Sequence, residues 1–262
     1  MALLGDLLKG RHKAPVTVKK AAPKPKHKVK PAPKPKKPEK KAVKAAPVER
    51  APPKPVLVEK MSEDKAYDLL KEAKIPVART VFCRIEKHLE EAIKKVGFPA
   101  VMKVSGTKIM HRTEVGGIIH VNTPEEAAAA FAKLMKIKNA EGVLMQKKMA
   151  GFELIVASKA DESFGYVVSA GIGGVYAELL RDVAFRVCPI DTAAAESMVK
   201  ELKGHEVLNG ARGAKPINFP VLYDVVSKVS RFMINKKFKE MDLNPVFCNE
   251  EGCFVADVRI IK

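Results

Sequence analysis

MDLNPVFCNEEGCFVADVRII, residues 241–261, has the pattern of a β-hairpin that turns at Glu250 and Glu251. A turn at this point places Asn244 directly opposite Asp257 on the paired strand. Opposed side chains have Cβ atoms about 5 Å apart, so the oxygens of these two residues can reach one Mg²⁺ ion. That ion would keep waters and phosphate oxygens as its other ligands. A solvated sheet face with a cross-strand ion pair is the alternative interpretation.

The same register predicts one apolar and one mixed face for the hairpin. The apolar face, which we expect to lie in the core, contains Leu243, Pro245, Phe247, Phe254, Ala256, Val258 and Ile260. The other face, polar at the end away from the turn, contains Asp242, Asn244, Val246, Cys248, Cys253, Val255, Asp257 and Arg259.

A second region with chemical potential begins at Lys103, inside the otherwise apolar strand AVMKV (100–104). An unpaired ammonium group is costly to bury, so Lys103 requires an anion, either a phosphate in a cleft or a partner carboxylate. The loop that follows, SGTKIMHRTEVGG (105–117), carries His111. Imidazole can accept a phosphoryl group at neutral pH, although a single loop histidine is commonly only solvated.

Other candidate contacts are weaker. The glycine cluster GIGGV (171–175) can offer backbone N–H groups to an anion, but it matches neither the P-loop nor the dinucleotide-binding pattern. Arg181, Arg186 and Arg212 are candidate phosphate or partner contacts, with surface ion pairs as the competing interpretation. The remaining histidines have no metal-ligand spacing.

Hydrophobic periodicity predicts an α+β domain over residues 59–262, made of two lobes at about 59–140 and 141–262 with a cleft between them. The first lobe alternates helices and strands, and the second is richer in strands. No apolar run is long enough for a membrane span. The four cysteines form neither a disulfide framework nor a CxxC metal motif, although Cys248 and Cys253 face each other across the hairpin. A reducing cytoplasm is therefore the predicted location.

Residues 1–58 differ in composition from the rest of the chain. They contain 17 of the 48 Lys and Arg residues, and their net charge of +14 leaves only +4 of the total +18 for the remainder. A proline-rich segment of this charge cannot bury enough apolar surface to fold, so we expect disorder. The leucines within residues 2–9 share one helical face, which suggests a short docking helix or only a frayed start.

Taken together, these segments resemble the ATP-grasp beta subunit of ADP-forming acetate–CoA ligase (acetyl-CoA synthetase), a relative of succinyl-CoA synthetase. The resemblance runs in order over about residues 60–262. It includes PAVMKVSGTKIMHRTEVGGI, GVLMQKKMAGFELIVASK, SAGIGGVYAELLRDVAFRVCPI, LNGARG and MDLNPVF with VADVRI. It implies an ATP-grasp fold, in which two α+β lobes hold a magnesium nucleotide between them.

The resemblance also implies roles in nucleotide binding. Lys103 would contact the phosphates of ATP or ADP. The strand end that contains Gln146, Lys147 and Met149 would hold adenine, and Glu153 would help to fix the nucleotide.

The remaining implied roles concern phosphoryl transfer. Asn244 and Asp257 would bind Mg²⁺, and His111 would be the phosphohistidine. Ser105 and Arg212 are possible phosphate or loop contacts. The loop departs from the usual family pattern HKSD, because this chain has HRTE at 111–114, but the nucleophile is retained.

In that family a histidine of the alpha subunit passes the phosphoryl group to a histidine of the beta subunit, and ADP receives it. This chain has no glycine-rich region for CoA, so the resemblance implies an alpha partner in a heterotetramer that handles CoA and the acyl group. Two alternatives are an ATP-grasp carboxylate–amine ligase and a nucleotide-binding module whose tail binds nucleic acid. The tail has no aromatic residue for base stacking, which argues against the second.

Overall fold

The computed structural model describes residues 59–174, 182–213 and 215–262. The predictions of a disordered tail at 1–58 and a docking helix at 2–9 lie outside the described residues. Within the described ranges, no helix is long and apolar enough to cross a membrane.

Six α-helices and ten β-strands make up the described part of the chain. The helices are α1 (Glu63–Glu72), α2 (Lys87–Val96), α3 (Pro124–Leu134), α4 (Thr192–Lys200), α5 (His205–Leu208) and α6 (Phe219–Lys236). The strands are β1 (Thr80–Cys83), β2 (Ala100–Ser105), β3 (Ile118–Val121), β4 (Gly142–Lys147), β5 (Phe152–Asp161), β6 (Gly165–Ile172), β7 (Val183–Val187), β8 (Glu240–Cys248), β9 (Cys253–Val255) and β10 (Val258–Ile261).

The first sheet has four antiparallel strands in the order β1-β4-β2-β3. Helices α2 and α3 pack against it, and their apolar faces share one core with β2. The strand β2 is buried at every position, which explains its nearly continuous apolar sequence. The division of the lobes near residue 140 stays a prediction, and the first sheet continues past that residue to β4. Strand β4 pairs with β1 and β2 through long-range contacts that no local pattern reveals.

The second sheet is also antiparallel, in the order β10-β8-β5-β6-β7, and β9 pairs with the other end of β8. The long helix α6 packs against β5, β6 and β8, and α4 packs against α6 and β7. Helix α1 belongs to this half as well, because it contacts β10 and its buried residues Tyr67 and Leu70 join the core of the second sheet.

The predicted hairpin register is confirmed. Arg259 pairs with Asp242, and Val255 pairs with Val246. The predicted faces, however, are wrong beyond Asn244, because β8 carries a bulge in which Asn244 and Pro245 stand opposite the single residue Ile155. One extra residue reverses the side-chain alternation that follows it.

As a consequence, four residues predicted on the mixed face are buried in the core: Val246, Cys248, Cys253 and Val255. Phe247 and Phe254, predicted as core, are only partly buried. Cys248 and Cys253 face each other as predicted, with Cα atoms 4.1 Å apart, and a disulfide joins them. This bond was not predicted, and it removes part of the basis for expecting a reducing compartment.

Candidate functional site

Residues from both sheets line one polar cavity of about 420 Å³. The loop between β2 and β3 contributes Met110, His111, Arg112, Thr113 and Glu114. The second sheet contributes Asp242 and Asn244 from β8, together with Asp257, Val258 and Arg259. The structure therefore brings the predicted histidine and both predicted metal ligands to the same space.

The two predicted metal ligands lie side by side at the base of the cavity. The backbone nitrogen of Asn244 donates to the carbonyl oxygen of Asp257 across the hairpin, at 3.3 Å. Asn244 is exposed because it follows the buried Leu243 in the regular alternation of β8, just where the bulge begins. Asp257 lies between β9 and β10, and its side chain is 27% exposed.

The carboxylate of Asp257 has a cationic partner that the sequence did not predict. Nη1 of Arg112 lies 2.6 Å from Oδ1 and 2.5 Å from Oδ2 of Asp257. The backbone nitrogen of Val258 also donates to Oδ1, at 2.8 Å. Arg112 directly follows His111, so this ion pair fixes the loop of the predicted nucleophile to the predicted metal site.

Arg112 itself is buried, and its other nitrogen atoms are also paired. Nε donates to the carbonyl oxygen of Val104 at 2.9 Å, and Nη2 donates to Oε1 of Glu63 at 2.6 Å. Burial alone would lower the pKa of Arg112, but the carboxylates of Asp257 and Glu63 outweigh it and raise this pKa. The guanidinium group is therefore charged at every pH at which the protein folds.

Glu63, at the start of α1, is the fully buried centre of this network. Its carboxylate accepts hydrogen bonds from Lys60 at 2.6 Å, from Arg112 and from the hydroxyl of Ser105. Glu63 lies in the first turn of α1, where acidic residues are common, and no signal in the sequence marks it as buried. Ser105, a predicted phosphate or loop contact, binds this carboxylate and does not line the cavity.

Lys103 is also buried, as its strand position predicted, but its partners are neutral. Nζ donates to Oε1 of Gln146 at 2.9 Å and to the carbonyl oxygen of Ala256 at 2.7 Å. Among the described residues no carboxylate lies within ion-pair distance of Lys103. Burial lowers the pKa of Lys103 to about 8, with the nearby charge of Asp257 opposing the shift.

The predicted nucleotide residues at the end of β4 have different environments. The side chain of Gln146 is buried, where it accepts from Lys103 and donates to Tyr67 and Thr80. Lys147 donates to the carbonyl oxygen of Phe98 at 2.8 Å. None of Gln146, Lys147 and Met149 lines the cavity.

Glu153 is another predicted residue that does not line the cavity. Glu153, at the start of β5, is exposed and lies beside the glycine cluster, where its carboxylate would be 3.1 Å from a Cβ atom placed on Gly174. Gly174 has a φ of +68°, a conformation that favours glycine. The side chain of Arg212 lies outside the described residues, as do all atoms of Arg181.

The donors at the cavity base fit a small, hard cation that takes few ligands from the protein. Asn244 and Asp257 offer amide and carboxylate oxygens, and Arg112 shows that a positive charge is accommodated against Asp257. In the described ranges no cluster of three or more His, Cys, Asp and Glu residues forms a metal site. This donor set suits Mg²⁺, which keeps several waters or phosphate oxygens.

Residues 58–261 match the ATP-grasp domain family. The acetate–CoA ligase [ADP-forming] II of Archaeoglobus fulgidus is 41% identical over 201 residues, which cover 76% of this chain but only 30% of that protein. The beta subunit of acetate–CoA ligase [ADP-forming] I from Pyrococcus furiosus is 37% identical, over 76% of this chain and 90% of that subunit.

Solved structures agree with these relatives. The acetyl-coenzyme A synthetase 1 of Candidatus Korarchaeum cryptofilum, in complex with coenzyme A, Ca-AMPCP and HgCl⁺, superposes with a TM-score of 0.73 at 33% identity, covering 78% of this chain and 93% of that chain. The same enzyme has been solved with coenzyme A and Mg-AMPPCP and with its phosphohistidine segment pointing towards the nucleotide binding site (TM-score 0.69, 34% identity, 78% and 92% coverage). The chain belongs to the ATP-grasp family and, within it, to the group that contains the beta subunits of ADP-forming acetate–CoA ligases.

Proposed function

We propose that this chain is the nucleotide-binding subunit of an ADP-forming acyl-CoA synthetase and that His111 relays a phosphoryl group to ADP. The observation that carries the proposal is that His111 lines the same cavity as Asn244 and Asp257 although it is distant in the chain from the hairpin that holds them. The Korarchaeum enzyme, whose phosphohistidine segment points towards its nucleotide site, supports the same arrangement.

In this proposal Asn244 and Asp257 hold Mg²⁺, which would neutralise charge on the phosphate oxygens of the nucleotide. Lys103 contacts the phosphates. An ammonium group has three hydrogens, and the described residues provide two neutral acceptors, so one hydrogen of Lys103 remains for a phosphate oxygen. Gln146, Lys147, Met149 and Glu153 are proposed to contact the rest of the nucleotide. Ser105 and Arg212 are proposed as phosphate or loop contacts.

His111 is suited to carry the phosphoryl group because it is exposed and lies on the cavity wall. Its side chain makes no hydrogen bond to the described residues, so the imidazole is available as a nucleophile. In the transfer to ADP, the N–P bond of phosphorylated His111 breaks while an O–P bond forms to the terminal phosphate of ADP. The other ring nitrogen of phosphorylated His111 carries a proton in this step, so the imidazole leaves as a neutral ring, and the product is ATP.

We propose that an alpha subunit provides the sites for CoA and the acyl group, in an α2β2 assembly. The chain spans about 30% of the relative from Archaeoglobus and about 90% of the separate beta subunit from Pyrococcus. This difference in length supports the proposal that the sites for CoA and the acyl group lie on a second subunit. The complex would convert an acyl-CoA such as acetyl-CoA, together with phosphate and ADP, into the acid, CoA and ATP.

The phosphoryl assignment is tested by incubating the full chain with Mg-ATP and mapping acid-labile phosphate by mass spectrometry at neutral pH. We expect phosphate on His111 and none in a His111→Ala variant. His120→Ala is the matched control, because His120 is also exposed but lies on β3, and it should retain the phosphate. Mg-ATP binding without any phosphohistidine would contradict the relay and favour a carboxylate–amine ligase.

A further inference from the structure

Arg112 connects the two parts of the proposed relay. It follows His111 in the loop, and its Nη1 atom contacts both carboxylate oxygens of Asp257, at 2.6 and 2.5 Å. These are the oxygens that a metal ion at this site would use. A guanidinium group in this position and a metal ion compete for the same lone pairs, and their charges repel.

The network around Arg112 can lose this contact without leaving a carboxylate unpaired. If Arg112 moves away, Glu63 keeps the hydrogen bonds from Lys60 and Ser105. Asp257 keeps the backbone nitrogen of Val258 and would gain the metal. The exchange therefore avoids the large penalty of an uncompensated buried charge.

The loop that carries His111 has few other anchors at its centre. Its backbone closes through a hydrogen bond from the nitrogen of Gly117 to the carbonyl oxygen of Arg112, at 2.8 Å. From residue 110 to residue 116, Arg112 is the one buried side chain, and the rest are exposed. The contacts of Arg112 thus determine how firmly the middle of the loop is held.

From this geometry we propose that Arg112 is a positioning residue that anchors the His111 loop on Asp257, and that metal binding weakens this anchor. The proposal rests on the proposed function, which assigns Asp257 to the metal. Because linkage is reciprocal, an anchored loop lowers the affinity for metal by the same factor by which bound metal favours the released loop.

The first test measures the affinity of the full chain for Mn²⁺ alone, by electron paramagnetic resonance of the free ion. Arg112→Gln should bind Mn²⁺ at least about tenfold more tightly than the wild type, because a charge-assisted hydrogen bond to a carboxylate typically contributes a factor of this order. Arg259→Gln is the matched control. Arg259 lines the same cavity but pairs with Glu240 and Asp242, so its loss removes an equal charge without freeing Asp257.

If Arg112→Gln and Arg259→Gln gained Mn²⁺ affinity equally, the loss of any positive charge at the cavity would explain the gain. That result would overturn the proposed competition between Arg112 and the metal for Asp257. An unchanged or weaker Mn²⁺ affinity in Arg112→Gln would overturn it as well. Arg112→Lys serves as a second variant if Arg112→Gln does not fold, since it keeps the charge but lacks the planar fork, and it should give a smaller gain. Asp257→Asn tests the underlying assignment: if it leaves Mn²⁺ affinity unchanged, the proposed metal site itself is wrong.

The second test follows the loop directly, by hydrogen exchange of the amides in residues 106–117. Saturating Mn²⁺ should accelerate exchange in the wild type. Arg112→Gln should exchange fast without metal, and Mn²⁺ should add nothing further. Slower or unchanged exchange in the wild type with Mn²⁺ would contradict the coupling, whatever the affinities show.

Discussion

The backbone nitrogen of Asn244 on β8 donates a hydrogen bond to the carbonyl oxygen of Asp257, between β9 and β10, so the two proposed metal ligands are neighbours. Asn244 faces outward by regular alternation from Leu243, and the bulge in β8 then returns Val246 to the core. The bulge thus changes the faces only beyond Asn244, and the predicted pairing of Asn244 with Asp257 at the cavity is kept.

This relationship predicts separate effects for the two ligands. Asp257→Asn removes a charge from the metal site and should reduce Mg²⁺-dependent formation of ATP by the assembled complex by about two orders of magnitude or more. Asn244→Ala removes a neutral metal ligand and should reduce this activity by a smaller factor. Titration of activity against Mg²⁺ checks both, and Asn249→Ala, at the far end of the hairpin, is the control. Full activity of Asp257→Asn at ordinary Mg²⁺ concentrations would contradict the assignment.

Lys103 should make nucleotide binding depend on proton uptake. Burial lowers the pKa of Lys103 to about 8, so near pH 8 about half of the free protein carries a neutral amine. A phosphate beside the amine favours its charged form and raises the pKa, so binding of Mg-ADP should take up a fraction of a proton near pH 8 and almost none below about pH 6.5.

Calorimetry in buffers of different ionisation enthalpy measures this uptake. Lys103→Met should abolish the uptake and weaken Mg-ADP binding by about tenfold or more, since a charge-assisted contact is lost. Lys147→Met is a useful comparison, because Lys147 is proposed to contact the nucleotide but is only partly buried. Proton uptake that persists in Lys103→Met would assign the titration to another group.

Glu63 should be essential for stability. Its buried carboxylate pairs with Lys60 and Arg112, so Glu63→Gln leaves buried Lys60 without its carboxylate partner and Arg112 with Asp257 alone, and should lower the free energy of unfolding by about 3 kcal/mol. Urea denaturation measures the change. Glu91→Gln, which breaks an exposed pair with Lys95 on α2, should change the free energy of unfolding far less. Equal effects of the two substitutions would show that the Glu63 network contributes little.

The disulfide between Cys248 and Cys253 should have a measurable effect on stability. It closes a short loop, for which the chain-entropy account gives about 2 kcal/mol. Reduction should lower the urea midpoint of the wild type. It should have no effect on the double variant Cys248→Ser, Cys253→Ser. Peptide mapping without reduction that finds both cysteines as free thiols would contradict the bond.

The parts of the site that were predictable from sequence are those fixed by local pairing. The turn at Glu250 and Glu251 determines which residues of β8 face those of β9 and β10, so the pairing of Asp242 with Arg259 followed from the sequence alone. The buried position of Lys103 followed from its apolar neighbours. The family was also predictable, because several spaced motifs occur in order, and the comparisons confirm it.

What escaped prediction depends on contacts between segments distant in sequence. The bulge exists only relative to Ile155 on β5, and nothing within the hairpin indicates it. Arg112 looks in the sequence like an ordinary basic loop residue beside His111, because its partner Asp257 is 145 residues away. Glu63 similarly looks like an ordinary helix-start residue until α1 is placed against the loop.

The central claim is that His111 carries the phosphoryl group that becomes the terminal phosphate of ATP. The most direct measurement starts from the chain phosphorylated with labelled Mg-ATP and freed of nucleotide, and follows the label after addition of unlabelled Mg-ADP in a single turnover. The label should leave His111, and the amount that appears in ATP should equal the amount lost from the protein. A label that stays on the protein, or is released only as inorganic phosphate, would contradict the account.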